Sequence, residues 1–510
     1  MEFICTSTEP VVQTKAGKVH GYKLDGIYTF KGIPYATARR FHMPEPYAPW
    51  EGIKDTIAYG DTAPYMEKKV NGFNDVRIAH RYWPQDEACQ YINVWTKALD
   101  TTAKMPVMVW IHGGGFDTGS SVELVCYEGA NAARYGDVVL VSLNHRLNIA
   151  GYLDLSAYGE EYKNSGNSGM ADIVMALEWV RDNIAEFGGD PENVTIFGQS
   201  GGGGKVTTLL QMPAADGLFH KAIIQSGVLY GGPSVTKQSA QDIADMLVKQ
   251  LGLTRETIHK IEEIPYSEIV DAYAAIRPQI NAKGYRASFA PVPGDYYAGS
   301  PLETGFTEHA CGVPVMIGST FGEIPNPHFP KKKYEKSEEE CLAILRETYG
   351  DQTEEIVSEF RKAYPDKNLL DILLADIRFR LGNIKMLDIH AKQASAPAYG
   401  YMFAYDFPYN DGEPAWHCAE LPFVFHNIEL VPVCHIPEDG ERLQNEFFGA
   451  WTAFARTGNP NNEHLPQWDP YTEGNEITMI FDSPSTAKKD YDRNLVNLVA
   501  KVNGKLDFVK

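Results

Sequence analysis

The run Asn193-Val194-Thr195-Ile196-Phe197-Gly198-Gln199-Ser200-Gly201-Gly202-Gly203-Gly204-Lys205-Val206 decides how this chain is read. Asn193 to Phe197 is β-branched and aromatic, as buried strands are, and Lys205 to Leu210 has helical character. Between them stands Gly198-Gln199-Ser200-Gly201-Gly202, a G-x-S-x-G turn. A sharp strand-to-helix turn lifts a serine hydroxyl above a sheet, and small residues two positions to either side let the backbone turn that tightly. The helix that follows aims free N–H groups at the turn, where they favour developing negative charge. A plain glycine-rich loop is the competing reading, and the flanking strand and helix weigh against it. A phosphate-binding loop fails at two positions: Gln199 stands where its first glycine is needed, and Val206 where a magnesium-binding hydroxyl is needed.

Working outward, Met105 to Ile111 and Asp137 to Leu143 read as buried strands, the first stopped by Gly113-Gly114-Gly115. From Gly169 to Phe187 the residues Ile173, Leu177, Val180, Ile184 and Phe187 form one helical stripe, which Gly188-Gly189 ends. Strand, helix, strand, turn, helix is the order of a parallel α/β sheet. Further strand-like runs occur at Lys221 to Gln225, Val313 to Gly318 and Tyr399 to Tyr405. The long stretches between them, at about residues 230–310 and 325–398, read as insertions over one sheet. No repeat or Pro/Ser-rich linker marks a boundary, so residues 1–510 read as a single domain with insertions. The charge-dense run Lys331 to Glu340 is of mixed sign and reads as a solvated helix start. Aromatic residues of Tyr285 to Tyr297 and Phe321 to Phe329 read as core more readily than as a pocket lining.

Composition narrows the function. The 510 residues carry 46 Lys+Arg against 67 Asp+Glu, a net charge of −21, with 44% hydrophobic and 22% charged residues. That balance is globular and excludes disorder, collagen and coiled coil. The negative charge, without a basic stripe, argues against nucleic acid or an anionic lipid surface as partner. Met1 to Pro10 does not read as a secretory signal, and no stretch reaches the roughly 18 apolar residues of a membrane-spanning helix. Seven scattered cysteines without a Cys-x-x-Cys pair fit reduced thiols in a cytoplasm. There is no H-E-x-x-H, no Cys/His cluster and no complete G-x-G-x-x-G, so no metal or organic cofactor is expected. A monomer and a homodimer fit equally well.

The second motif, His112-Gly113-Gly114-Gly115-Phe116, supplies backbone N–H groups unobstructed by side chains, as an oxyanion hole requires. A serine also needs a base, and the base a carboxylate to orient it. Catalytic groups of such sheets lie just past the carboxyl ends of strands, in the order Ser, acid, His. Glu323 and His417 satisfy both conditions. From position alone Glu308 or Asp295 serves equally as the acid, and His426 or His435 as the base.

The chain resembles the type B carboxylesterase and cholinesterase-like family. The resemblance rests on Asp86 to Trp95 (DEACQYINVW), the His112 to Phe116 loop, Asn144-His145-Arg146-Leu147, Glu178 to Ile184 with Phe187 to Pro191, and Phe454 to Pro460. It spans nearly the whole chain and is nearest to para-nitrobenzyl-esterase-like bacterial members. It implies an α/β-hydrolase fold, a large mostly parallel central sheet flanked by helices with helical insertions over the active site, and no cofactor. It implies a catalytic triad of Ser200, Glu323 and His417, with Gly114, Gly115 and Gly201 donating to the oxyanion. The implied substrate is a small-molecule carboxylic ester. The same machinery also serves amide, thioester or carbamate bonds, and some members of the family are silent interaction proteins. Those typically lack the nucleophile, which is present here.

The departures from the family pattern carry information. Glu usually precedes the serine and Ala follows it; here they are Gln199 and Gly201. Four successive glycines loosen a helix start by about 1 kcal/mol per interior glycine relative to Ala, and room beside the nucleophile is the expected compensation. The acid loop reads Thr320-Phe321-Gly322-Glu323-Ile324 where many relatives have Asp-Glu-Gly. Secreted relatives often pair the cysteine equivalent to Cys89 with one upstream; Asp61 to Ala88 holds none, so Cys89 is expected to be free. Gln199 removes a fixed negative charge beside any cationic substrate group. Comparable kcat/KM for a choline ester and its neutral isostere is therefore expected; a marked preference for the choline ester would refute this reading.

Overall fold

The computed structural model describes residues 1–66, 77–231, 234–324, 329–410 and 412–503. Its principal strands are Phe3–Ile4 (β1), Tyr22–Leu24 (β2), Ile27–Pro34 (β3), Tyr91–Thr96 (β4), Met105–Ile111 (β5), Val139–Leu143 (β6), Gly189–Gln199 (β7), Lys221–Gln225 (β8), Val315–Thr320 (β9), Ala398–Phe403 (β10), Ile477–Phe481 (β11) and Thr486–Lys489 (β12). The chain divides into two compact units, Met1–Ile223 with Gly232–Val313, and Ile224–Gly231 with Pro314–Lys510.

In the first unit the strand order is β1-β2-β3-β4-β6-β5-β7, followed by residues 221–223 of β8. β5 pairs in parallel with β6 and β7, while β1 to β4 form an antiparallel flank that joins β6 through β4. Every residue of β5 and β6 is buried, which explains their unbroken apolar sequence. Trp110 packs between Tyr127 and Phe197, with ring centroids at 4.9 and 5.0 Å. Helix α1 (Ser168–Asn183) realises the apolar stripe, and Gly188 ends the helical stretch with φ +76°. In the second unit the order is β9-β10-β11-β12, parallel except for the last pair. Its core stacks Phe447 on Phe481 at 4.0 Å.

Several element ends differ from the sequence reading. Asp137 adopts a left-handed conformation (φ 48°) closing a short helix, so the strand begins at Val139. Val313 closes a helical turn at Ala310–Gly312 and β9 starts at Val315, after Pro314, which has no N–H to give a ladder. β7 runs from Gly189 to Gln199, longer than the apolar run, because β5 pairs with it as far as Gly198. Helix α2 (Gly201–Leu209) begins immediately after Ser200 rather than at Lys205. The region of about residues 230–310 contains α3 (Lys237–Gln250) and α4 (Tyr266–Ala282); that of 325–398 contains α5 (Glu338–Tyr349), α6 (Thr353–Ala363) and α7 (Arg378–Gln393).

Ser337 caps α5 through a capping box with Glu340, but Lys333 of the same charged run is not solvated. It is 1% exposed, and its ammonium donates to both oxygens of buried Asp371 at 2.7 and 3.0 Å. Phe321 is core, edge-on to Tyr364 at 5.0 Å; positions 325–328 of the aromatic segment Phe321 to Phe329 lie outside the described residues. Phe289 and Tyr297 are buried, and Phe289 borders a cavity of about 30 Å³ with Tyr152 and Arg286.

A buried ion pair braces the first unit. Arg146, just after β6, donates from Nε and a terminal nitrogen to the Asp172 carboxylate of α1 at 2.9 and 2.6 Å, and its other terminal nitrogen reaches the carbonyls of Arg39 and His42. Removing one partner strands the other as an uncompensated buried charge. Asp172→Ala is expected to lose about 3–5 kcal/mol in urea unfolding; a loss below about 1 kcal/mol, the range of an exposed pair, would contradict this account.

Candidate active site

Ser200 sits at the junction of β7 and α2 with φ 57° and ψ −125°, a conformation that a non-glycine residue holds only where the surroundings impose it. What imposes it is the close packing of α2 on the loop after β5. A methyl group built on Gly201 would lie 2.2–2.4 Å from the O, N and Cα of Gly115, and one on Gly202 would lie 2.0 Å from the Ile111 carbonyl. The sequence suggested that the glycines leave room beside Ser200; they do not, because the Gly115 backbone takes that space.

The loop itself turns through left-handed residues, Gly114 at φ +86° and Gly115 at φ +65°. Thr118 clamps it by donating from its backbone N and Oγ1 to the Gly114 carbonyl at 3.0 and 3.1 Å. A Cβ on Gly113 would lie 3.4 Å from Ser200 Cβ, so the loop runs directly against the serine turn. Gln199 is buried, with its amide oxygen beside Gly113. Ser200, Gly114, Gly115 and Gly201 are thus brought together in the first unit.

In the second unit the structure couples Glu323 with His417. The Glu323 carboxylate is 2% exposed and takes three partners: its Oε2 meets His417 Nδ1, and its Oε1 accepts from the Thr320 N–H at 2.8 Å and from the Ser226 hydroxyl. The two loops are tied by the Gly322 N–H donating to the Ala415 carbonyl at 2.8 Å, and Phe379 of α7 stacks on the His417 ring at 5.6 Å and 22°. Burial alone would push the His417 imidazole down. The charge and hydrogen bond of Glu323, helped by Glu420 and Asp376, outweigh it and raise its pKa. Glu420, accepting from Gln225 at 3.1 Å, is itself pushed up to about 7 by burial and by the Glu323 charge. The alternatives separate. Glu308, Asp295 and His435 are exposed, and His426 packs against Phe448 with Gln444 beside its Nε2.

Residues 8–499 match the model of the carboxylesterase family. The chain belongs to that family. The carboxylesterase is 35% identical over 497 residues to a para-nitrobenzyl esterase of Bacillus subtilis, covering 95% of this chain and 97% of that one. It is 30% identical over 504 residues to a phenmedipham hydrolase of Pseudarthrobacter oxydans, covering 95% and 98%. Its fold superposes with a TM-score of 0.92 on an esterase from Clostridium hathewayi that can hydrolyze aliphatic aromatic polyesters, at 45% identity over 98% of this chain and 99% of that one. The architecture is accordingly the α/β-hydrolase fold, and the protein is an ester hydrolase.

Sequence reasoning did not single out Ser226, Phe379 or Asp376. Ser226 leaves one signal, a lone serine straight after the strand Lys221 to Gln225, where catalytic groups of such sheets collect. Cys89 is buried and is a free thiol. Among the described residues no helix is long and apolar enough to cross a membrane, and no group of three His, Cys, Asp or Glu side chains could hold a metal ion.

The Gly201–Gly115 contact is testable by restoring the family's usual residue in this carboxylesterase. Gly201→Ala forces α2 away from the loop and is expected to cost about 1–3 kcal/mol in denaturant unfolding, as overpacking does. A variant of unchanged or increased stability would show that the two backbones separate freely.

Proposed function

We propose that the protein hydrolyses small-molecule carboxylic esters through an acyl-enzyme, with Ser200 as nucleophile, His417 as general base and acid, and Glu323 as the carboxylate that orients the imidazole. The Ser200 hydroxyl adds to the ester carbonyl while His417 Nε2 accepts its proton. The negative charge that forms on the carbonyl oxygen is received by the backbone N–H groups of Gly114, Gly115 and Gly201. As the tetrahedral intermediate collapses, the C–O bond to the alcohol breaks and His417 returns the proton to the leaving alkoxide. Water, deprotonated by the same imidazole, then releases the acid and restores Ser200.

The observation that carries this reading is the Glu323–His417 pair. A buried carboxylate bound to Nδ1 fixes the tautomer that leaves Nε2 as the proton acceptor, and it stabilises the imidazolium formed during attack. The strained turn at Ser200 and the glycine loop against it support the nucleophile and oxyanion roles. The free thiol of buried Cys89 and a relative from Bacillus subtilis support a cytoplasmic enzyme.

Turnover of a short-chain p-nitrophenyl ester should fall by at least about 10⁴-fold in Ser200→Ala, and an organophosphate adduct should map to Ser200 by mass spectrometry. Folded protein with neither turnover nor adduct would remove the hydrolase mechanism and favour an interaction role. The pH profile tests the pair. His417 works as a base when neutral, so the acid limb of kcat/KM is expected above the usual imidazole value of 6.5. In Glu323→Gln the raising charge is gone and burial still lowers the imidazole, so the limb moves to lower pH as kcat drops. A limb that stays in place counts against Glu323 as the partner.

A further inference from the structure

Lys205 is among the largest fully buried side chains of the protein, and the mechanism above does not use it. It extends from α2, four residues beyond Gly201, and its Nζ donates to the His112 carbonyl at 3.0 Å while lying 5.6 Å from the centre of the Phe116 ring. Among the described residues that carbonyl is its one hydrogen-bond acceptor. Burying an ammonium for a single carbonyl costs more than burying an aliphatic chain of equal length, so packing does not account for it. The neighbourhood explains the need. Residues 113–115 and 201–204 are all glycine and offer no side chain by which loop and helix could grip one another. On the far side of the loop Thr118 holds the Gly114 carbonyl, and the Asn148 N–H holds that of Phe116 at 2.7 Å. On the near side the hold is Lys205.

We propose that Lys205 is a positioning residue for ester hydrolysis: its hydrogen bond to the His112 carbonyl locks the Gly113–Gly115 loop onto α2 and so sets the oxyanion donors for the tetrahedral intermediate. The inference rests on the oxyanion roles proposed above for Gly114, Gly115 and Gly201. Lys205 touches no substrate, so its loss acts on the transition state through geometry rather than on substrate binding.

The surroundings add a pH signature. The titratable groups facing the amine are Asp117 and Glu123 of the segment after the loop, His112 at the end of β5, and His145 just after β6, which stacks on His112 at 5.0 Å. Burial pushes the ammonium down to about 7 against the charges of Asp117 and Glu123. Burial, with the Lys205 charge added, holds both imidazoles well below their usual value, so of these three nitrogen bases it is the lysine that changes charge near neutrality. Above that pH the neutral amine is a weaker donor than the ammonium, and the loop loosens.

The test measures kcat and KM for a p-nitrophenyl ester from pH 6 to 9 (about neutrality on either side) in wild type, Lys205→Met and Lys205→Gln, with thermal unfolding of each. Expected are a wild-type kcat that declines above about pH 7, and a fall of about tenfold to a hundredfold in kcat at unchanged KM for Lys205→Met. Lys205→Gln, a non-titrating donor, should restore most of the rate and lack the alkaline decline. A folded Lys205→Met with wild-type kcat overturns the proposal. So does a Lys205→Gln that keeps the alkaline decline or loses as much kcat as Lys205→Met, and the glutamine variant decides alone where methionine is not tolerated. Phosphonate labelling of the wild type separates the two levels. An adduct away from Ser200 removes the nucleophile assignment and this inference with it; an adduct on Ser200 with unaltered kinetics in the variants removes this inference only.

Discussion

No room exists for a methyl group between Gly201 and Gly115. That contact between two stretches of backbone dictates how β7 can end, where α2 must begin and how Ser200 must stand. Seven glycines within residues 113–115 and 201–204 are a poor recipe for either a strand end or a helix start, since each weakens local structure. Here the propensity is overridden because tertiary packing sets what the backbone must do. The strain at Ser200 is held by β5 and residues 194–199 of β7, which are paired in parallel and buried.

The second unit solves a different problem, the burial of charge. Glu323 lies in an almost dry setting and is kept there by three hydrogen bonds. Glu420 and Asp376 add two more carboxyls nearby, and burial raises both. A carboxyl that is neutral near pH 7 adds little repulsion to Glu323, whereas an ionised one strengthens the field that favours a charged imidazole. The ring of Phe379 stacked against His417 limits its rotation, so electrostatics and packing act on the same side chain. Ser226, beside Glu323, also gives its backbone N–H to the Gly318 carbonyl at 2.7 Å, which links the exit of β8 to β9.

Gln199, Gly201 and Lys205 form a connected set of residues around the serine turn. Gly201 permits the close loop, Gln199 fills the space beneath Gly113 without a charge, and Lys205 holds the loop from the helix side. Each alone looks like a defect: a missing carboxylate, a missing methyl group, a buried cation. Their coherence lies in the loop they share, and it distinguishes this carboxylesterase from the pattern of Glu and Ala around the serine.

The sequence by itself determined the parallel α/β order, the position of the serine turn and the glycine loop, because hydrophobic runs and glycine punctuation are local properties. It placed β5 and β8 to the residue and a helix start within the run Lys331 to Glu340. It left the acid and the base open among Glu323, Glu308, Asp295, His417, His426 and His435 until a family resemblance chose, since position along a chain says nothing about which carboxylate meets which imidazole. Only the tertiary structure decided that pairing, the burial of Lys333 and Lys205, the presence of Ser226 at the carboxylate and the true extent of β7 and α2. All of these depend on which groups are driven into the same dry space by distant segments of chain, and desolvation is a property of the fold rather than of any residue's neighbours in sequence.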